Sequence, residues 1–107
     1  MDPLQQLAKS KFDFNAYKRS LKEKIDSMLV VTHNNGLFKV TPELISLVQI
    51  LRQNSNDELI YLEDSYKNPI QANSKELLEQ LLEAHQFAIN SWWVEFEQAK
   101  KIRKLDV

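Results

Sequence analysis

Val30-Val31-Thr32-His33-Asn34-Asn35-Gly36-Leu37-Phe38-Lys39-Val40-Thr41-Pro42-Glu43 holds the change of period that sets the fold class. Two runs rich in β-branched and aromatic residues flank Asn35-Gly36. That pair suits a type I′ hairpin turn, because both central positions need positive φ. With this turn His33 opposes Phe38 and Val31 opposes Val40. These four side chains then share one face, and Thr32 and Lys39 take the other. The run passes straight into Thr41-Pro42-Glu43, which reads as an N-cap, a proline at the first helical position and an acid in the first turn. A hairpin feeding a helix makes the chain α+β.

Downstream, Leu44, Ile45, Leu47, Val48, Ile50 and Leu51 give that helix its apolar residues, and Asn54-Ser55-Asn56-Asp57 ends it. Residues 58–63 read as a strand, 64–69 as a turn and Ile70-Gln71-Ala72 as a returning strand, with Pro69 suited to an edge. Upstream, Phe14, Tyr17, Leu21, Ile25 and Met28 form one stripe of a helix starting at Asp13. Asp2-Pro3 opens a further short helix that ends near Ser10, so residues 1–12 are expected as a peripheral arm. The expectation is a single α+β domain over 1–107, mainly α, with two short β-hairpins and a long C-terminal helix.

That last helix runs from Ser74, read as its cap, to about Leu105. Leu78, Leu82, His85, Ile89, Trp92, Phe96 and Ala99 step by four and three as a heptad-like seam. Leu77, Leu81, Ala84 and Ala88 form a second stripe, and Phe87 and Val94 point a third way. The helix is thus apolar around much of its middle. A rod of about 46 Å also exceeds the roughly 33 Å diameter of a compact chain this size. It should overhang its own domain, with Leu77 to Ile89 closing the core. Trp92, Trp93, Phe96 and Ile102 are then the candidate partner-binding residues. For Trp92 and Phe96 the first reading is cover for the sheet formed by the hairpins. Trp93 stands evenly between core edge and partner contact.

Composition excludes several classes. The 107 residues are 43% hydrophobic and 27% charged, an ordinary globular balance, with a net charge of −1. No strong field draws the whole chain to nucleic acid or an anionic membrane. There is no cysteine, so neither disulfides nor thiolate metal sites can form. With Gly36 as the one glycine, neither a dinucleotide fingerprint nor a Walker A loop can be written. The N-terminus lacks the pattern of a signal peptide, and no apolar run is long enough to span a bilayer. A protein made and kept inside a cell is the expectation.

Candidate chemistry is sparse. His33 and His85 are the only histidines and neither has a ligand-spaced partner. His85 on the apolar seam reads as a core histidine, and His33 as a packed or rim residue. Asp57, Glu58, Glu63 and Asp64 lack calcium-loop spacing; Asp64 and Asn68 read as caps for turn amides. No nucleophile, base and orienting group assemble, so no enzyme, cofactor or small-molecule substrate is expected. Lys100, Lys101, Arg103 and Lys104 read first as compensation of the helix dipole. Their functional reading is contact with phosphate or an acidic partner, strengthened if Lys18, Arg19, Lys22 and Lys24 prove adjacent.

Phe38-Lys39-Val40-Thr41-Pro42-Glu43-Leu44-Ile45, Leu62-Glu63-Asp64, Asn68-Pro69-Ile70 and the ending Lys100-Lys101-Ile102-Arg103-Lys104 resemble small proteins of contractile-tailed phages, including those of marine bacteria. The resemblance spans roughly residues 36–104. It implies a virion component or assembly factor, in the cytoplasm of a bacterial host cell or in the virion, with no catalytic residues to carry over. The expected function is thus protein-protein interaction, with a protein partner or self-association. The alternative is a small regulator that binds nucleic acid, or the transcription or replication machinery, through its basic helix ends.

Overall fold

A computed structural model describes residues 14–105, with side chains through Lys101. The expected N-terminal helix, the helix start at Asp13 and the side chains of Ile102, Arg103 and Lys104 lie outside the described residues. The order is α1 (Phe14–Met28), β1 (Val30–His33), β2 (Gly36–Lys39), α2 (Pro42–Gln53), β3 (Leu59–Glu63), β4 (Pro69–Asn73) and α3 (Ser74–Leu105). The fold class is α+β, mainly α, as the sequence predicts. The four strands form two separate antiparallel pairs, not one sheet.

The first hairpin turns one residue earlier than the sequence suggests. Its pairs are Val31 with Phe38 and His33 with Gly36, so Asn34 and Asn35 make the turn. Both adopt left-handed φ, 48° and 67°, as a type I′ turn requires. His33 therefore does not oppose Phe38, nor Val31 Val40. The slip moves each pairing by two residues, which preserves the side-chain parity. His33, Phe38 and Val40 are accordingly all buried, while Thr32 and Lys39 are exposed. Gly36 is used for space, not for positive φ. A Cβ there would lie 2.8 Å from Ile70 Cγ1 and 3.0 Å from Phe38 Cε2. Close packing on the second hairpin outweighs the turn preference of Asn-Gly, and asparagine tolerates the left-handed region well enough to allow it.

The second hairpin alternates cleanly. Ile60 and Leu62 point inward, while Leu59, Tyr61 and Glu63 are exposed. The hairpins are clamped side by side. Ser65 N–H donates to Leu37 O at 2.7 Å, and Asn34 Nδ2 to Gln71 O at 2.8 Å. Thr41 caps α2 as expected, its hydroxyl accepting from Leu44 N at 3.0 Å. For α3 the cap is Asn73 instead of Ser74. Asn73 Oδ1 accepts from Glu76 N at 3.0 Å, while Ser74 is fully buried and its Oγ has no hydrogen-bond partner among the described residues.

α3 is the spine on which α1, α2, β1 and β4 pack. Leu77, Leu81 and Ala88 of the second stripe are completely buried with Ile25, Phe38, Val40 and Val48. The heptad-like seam lies on the shoulder of that core, not at its centre: Leu82 is 48% exposed. Buried His33 ties β1 to the spine. Its Nδ1 meets Gln80 Oε1 at 2.7 Å, and its Nε2 accepts from Asn73 N at 3.2 Å. His33 Nδ1 must then carry the ring proton.

The molecule is elongated. Its extents are 59 × 23 × 17 Å and its radius of gyration is 18.9 Å, against about 13 Å for a compact chain of this length. The overhang is real but not bare. α1 returns along the later half of α3 in the opposite direction: Phe14 lies beside Phe96 and Lys22 beside Trp92, while β1, which follows, reaches Gln80.

Candidate functional site

The four residues Ile89, Trp92, Trp93 and Phe96 lie one helical turn and two turns apart, so they line a single stretch of α3. Together they form a shallow apolar groove of about 230 Å³. Trp92 and Phe96 are half-buried and pack against the core cluster, with residues of α1 beside both rings. The Phe14 and Phe96 ring centroids are 6.4 Å apart, and Lys22 Nζ sits 4.9 Å from the Trp92 ring centre. Trp93 turns outward and is 64% exposed. On the far flank Phe87 and Val94 are 66% and 47% exposed. Of the sequence candidates, Trp92, Trp93 and Phe96 thus come together, and Ile102 lies outside the described side chains. Ile89 and Leu82 belong to the same surface, although the sequence places them in the half that closes the core. Their seven-residue spacing with Phe96 was the available signal.

Among the described side chains, the two basic runs approach each other at Lys18 and Lys100. Lys18 Nζ lies 5.4 Å from the Phe14 ring and Lys100 Nζ 5.7 Å from the Phe96 ring, two rings that touch. Three of the cations have their own counter-charges. Lys22 pairs with Asp26 at 2.9 Å, Lys24 with Glu95 at 2.7 Å and Lys100 with Glu97 at 3.1 Å. Glu95 raises the Lys24 pKa, chiefly by its hydrogen bond.

The carboxylates near the second hairpin are engaged in structure. Buried Asp64 accepts from Tyr66 N and Asn68 N through Oδ1, and from Leu37 N through Oδ2, at 2.9–3.1 Å. It therefore closes its own turn, in which Lys67 takes φ 64°, and holds the first hairpin to the second. Asp57 Oδ1 accepts from Leu59 N at 3.0 Å, and Glu58 meets Asn73 Nδ2 at 3.3 Å. Among the described residues, no group of three histidine or acidic side chains is placed to hold a metal ion, and no helix is long and apolar enough to cross a membrane.

The amides around Asp64, that of Asn68 foremost, hold its carboxyl below the ordinary value of 3.8, against the opposing effect of burial. A depressed folded pKa contributes stability above the unfolded value and loses it as pH falls through the folded one. Stability should therefore decline with acid below about pH 4. Asp64→Asn should flatten that part of the curve, measured as urea midpoints from neutral pH down to acid. Identical acid slopes in both proteins would sink the assignment.

Comparison with known proteins finds no matching family model, and no curated protein or solved structure with significant similarity. The site must therefore be read from its own chemistry.

Proposed function

We propose that this chain is a non-enzymatic interaction protein that engages a protein partner through the apolar face of α3. The supporting observation is Trp93, 64% exposed at the mouth of the groove formed with Ile89, Trp92 and Phe96. A large exposed aromatic beside other apolar side chains is costly in water and typical of interface anchors. At about 230 Å³ the groove is below the usual range for small-molecule pockets, and it suits an inserted side chain. The phage resemblance alone suggests that the partner belongs to an assembling particle.

The test is site-specific crosslinking. Trp93→p-benzoylphenylalanine should give a defined protein adduct on irradiation in cells making the protein. Tyr61→p-benzoylphenylalanine, equally exposed at 67% on the second hairpin, is the control and should not. Adducts at both positions, or at neither, would count against a specific face. The regulator reading draws on the approach of Lys18 and Lys100. It ranks second because Lys22, Lys24 and Lys100 already hold acidic partners. Tight DNA or RNA binding that weakens steeply with salt, without an adduct at position 93, would put it first.

A further inference from the structure

Resting on that reading, we infer that the partner on this face is a second copy of the chain, laid antiparallel along α3. Leu82, Ile89 and Phe96 are spaced by seven, and so are Glu79, Gln86, Trp93 and Lys100. In one heptad frame these are two neighbouring columns on one side of the helix. The column next to them turns inward, with Ala99 buried and Leu78 and Trp92 packed on the core. The outer shoulder therefore has a coiled-coil repeat, and no helix among the described residues receives it.

Charge selects the occupant and its direction. The exposed acids Glu76, Glu79 and Glu83 lie in the first part of α3, and the exposed Lys100 and Lys101 near its end. A two-fold axis at Ile89 places Leu82 of one copy against Phe96 of the other. The same axis sets Glu79 against Lys100, and Gln86 against the Trp93 ring. Every rung repeats on the other side of the axis, as an isologous interface requires. A parallel copy would instead set Glu79 on Glu79 and Lys100 on Lys100, which repels. Glu79 has no ion pair among the described residues, while Lys100, which also lies over the Phe96 ring, pairs with Glu97 in an exposed contact that costs little to exchange. The columns span three heptads, about 32 Å of helix.

Sedimentation equilibrium of the full chain tests the inference. The wild type should reach twice the chain mass in the micromolar range. Glu79→Lys and Lys100→Glu should each weaken the dimer about tenfold, since each replaces two attractions by two repulsions. The double variant should recover to within about threefold of wild type. Both side chains are exposed, so circular dichroism should show unchanged folding in all three. A dimer indifferent to the swaps overturns the antiparallel pairing. A monomer at all concentrations overturns the second copy. If that monomer still gives a heterologous adduct at position 93, the interaction reading survives; without one, both fall.

Discussion

Phe38→Ala should lower the unfolding free energy by about 3–5 kcal/mol. That is a large share of the roughly 5–15 kcal/mol available to a domain of this size. Phe38 is 1% exposed, and its ring fills the space beside Gly36, where even a methyl would lie 3.0 Å from Cε2. The first hairpin reaches the core through this side chain and Val40, with His33 adding its hydrogen bonds. Truncation leaves a cavity where two hairpins and the spine meet, and clamped backbones collapse poorly into such a space. Urea unfolding read by circular dichroism gives the number. A loss under about 1 kcal/mol would mean that the hairpin is anchored elsewhere.

Two adjacent leucines on α3 should behave in opposite ways. Leu81 is fully buried, and Leu81→Ala should cost about 2–5 kcal/mol of stability. Leu82 is 48% exposed on the shoulder, and Leu82→Ala should cost less than about 1 kcal/mol when measured at concentrations where the chain is monomeric. Its effect should appear in association, as a weaker dimer by sedimentation. Similar losses of monomer stability from both substitutions would show that the two faces of α3 are not distinct.

The sequence carried the element order because proline, glycine and capping residues punctuate it at almost every boundary. Thr41-Pro42 marks a helix start that the structure keeps, and Pro69 an edge strand that it also keeps. The hairpin register was not legible, since it is decided by Ile70, over thirty residues away from the turn, pressing on Gly36. The cap of α3 was misplaced for a similar reason. Ser74 is drawn inside by the N–H it donates to Glu58 O at 2.7 Å, which leaves Asn73 to cap. At the candidate site, residue types were readable but directions were not. Trp92 and Trp93 look alike in sequence. Only the line taken by α1, which brings Lys22 onto Trp92, separates a half-covered indole from an open one. For Leu82 and Ile89 the seven-residue spacing groups them with Phe96, but the period does not say whether that column faces core or shoulder.

The position of α3 has a consequence for biosynthesis. It is the last of the described elements to leave the ribosome, yet both other described helices and strands from both hairpins lean on it. Each hairpin is local and can close as it emerges. The inner faces of Ile25, Phe38 and Val48 cannot be covered until Leu77, Leu81 and Ala88 arrive. His33 likewise waits for Asn73 and Gln80. At ordinary translation rates α3 takes a few seconds to synthesise. During that interval the nascent chain presents an open half-core, and a message truncated before Ser74 yields a product that chaperones or proteases must remove.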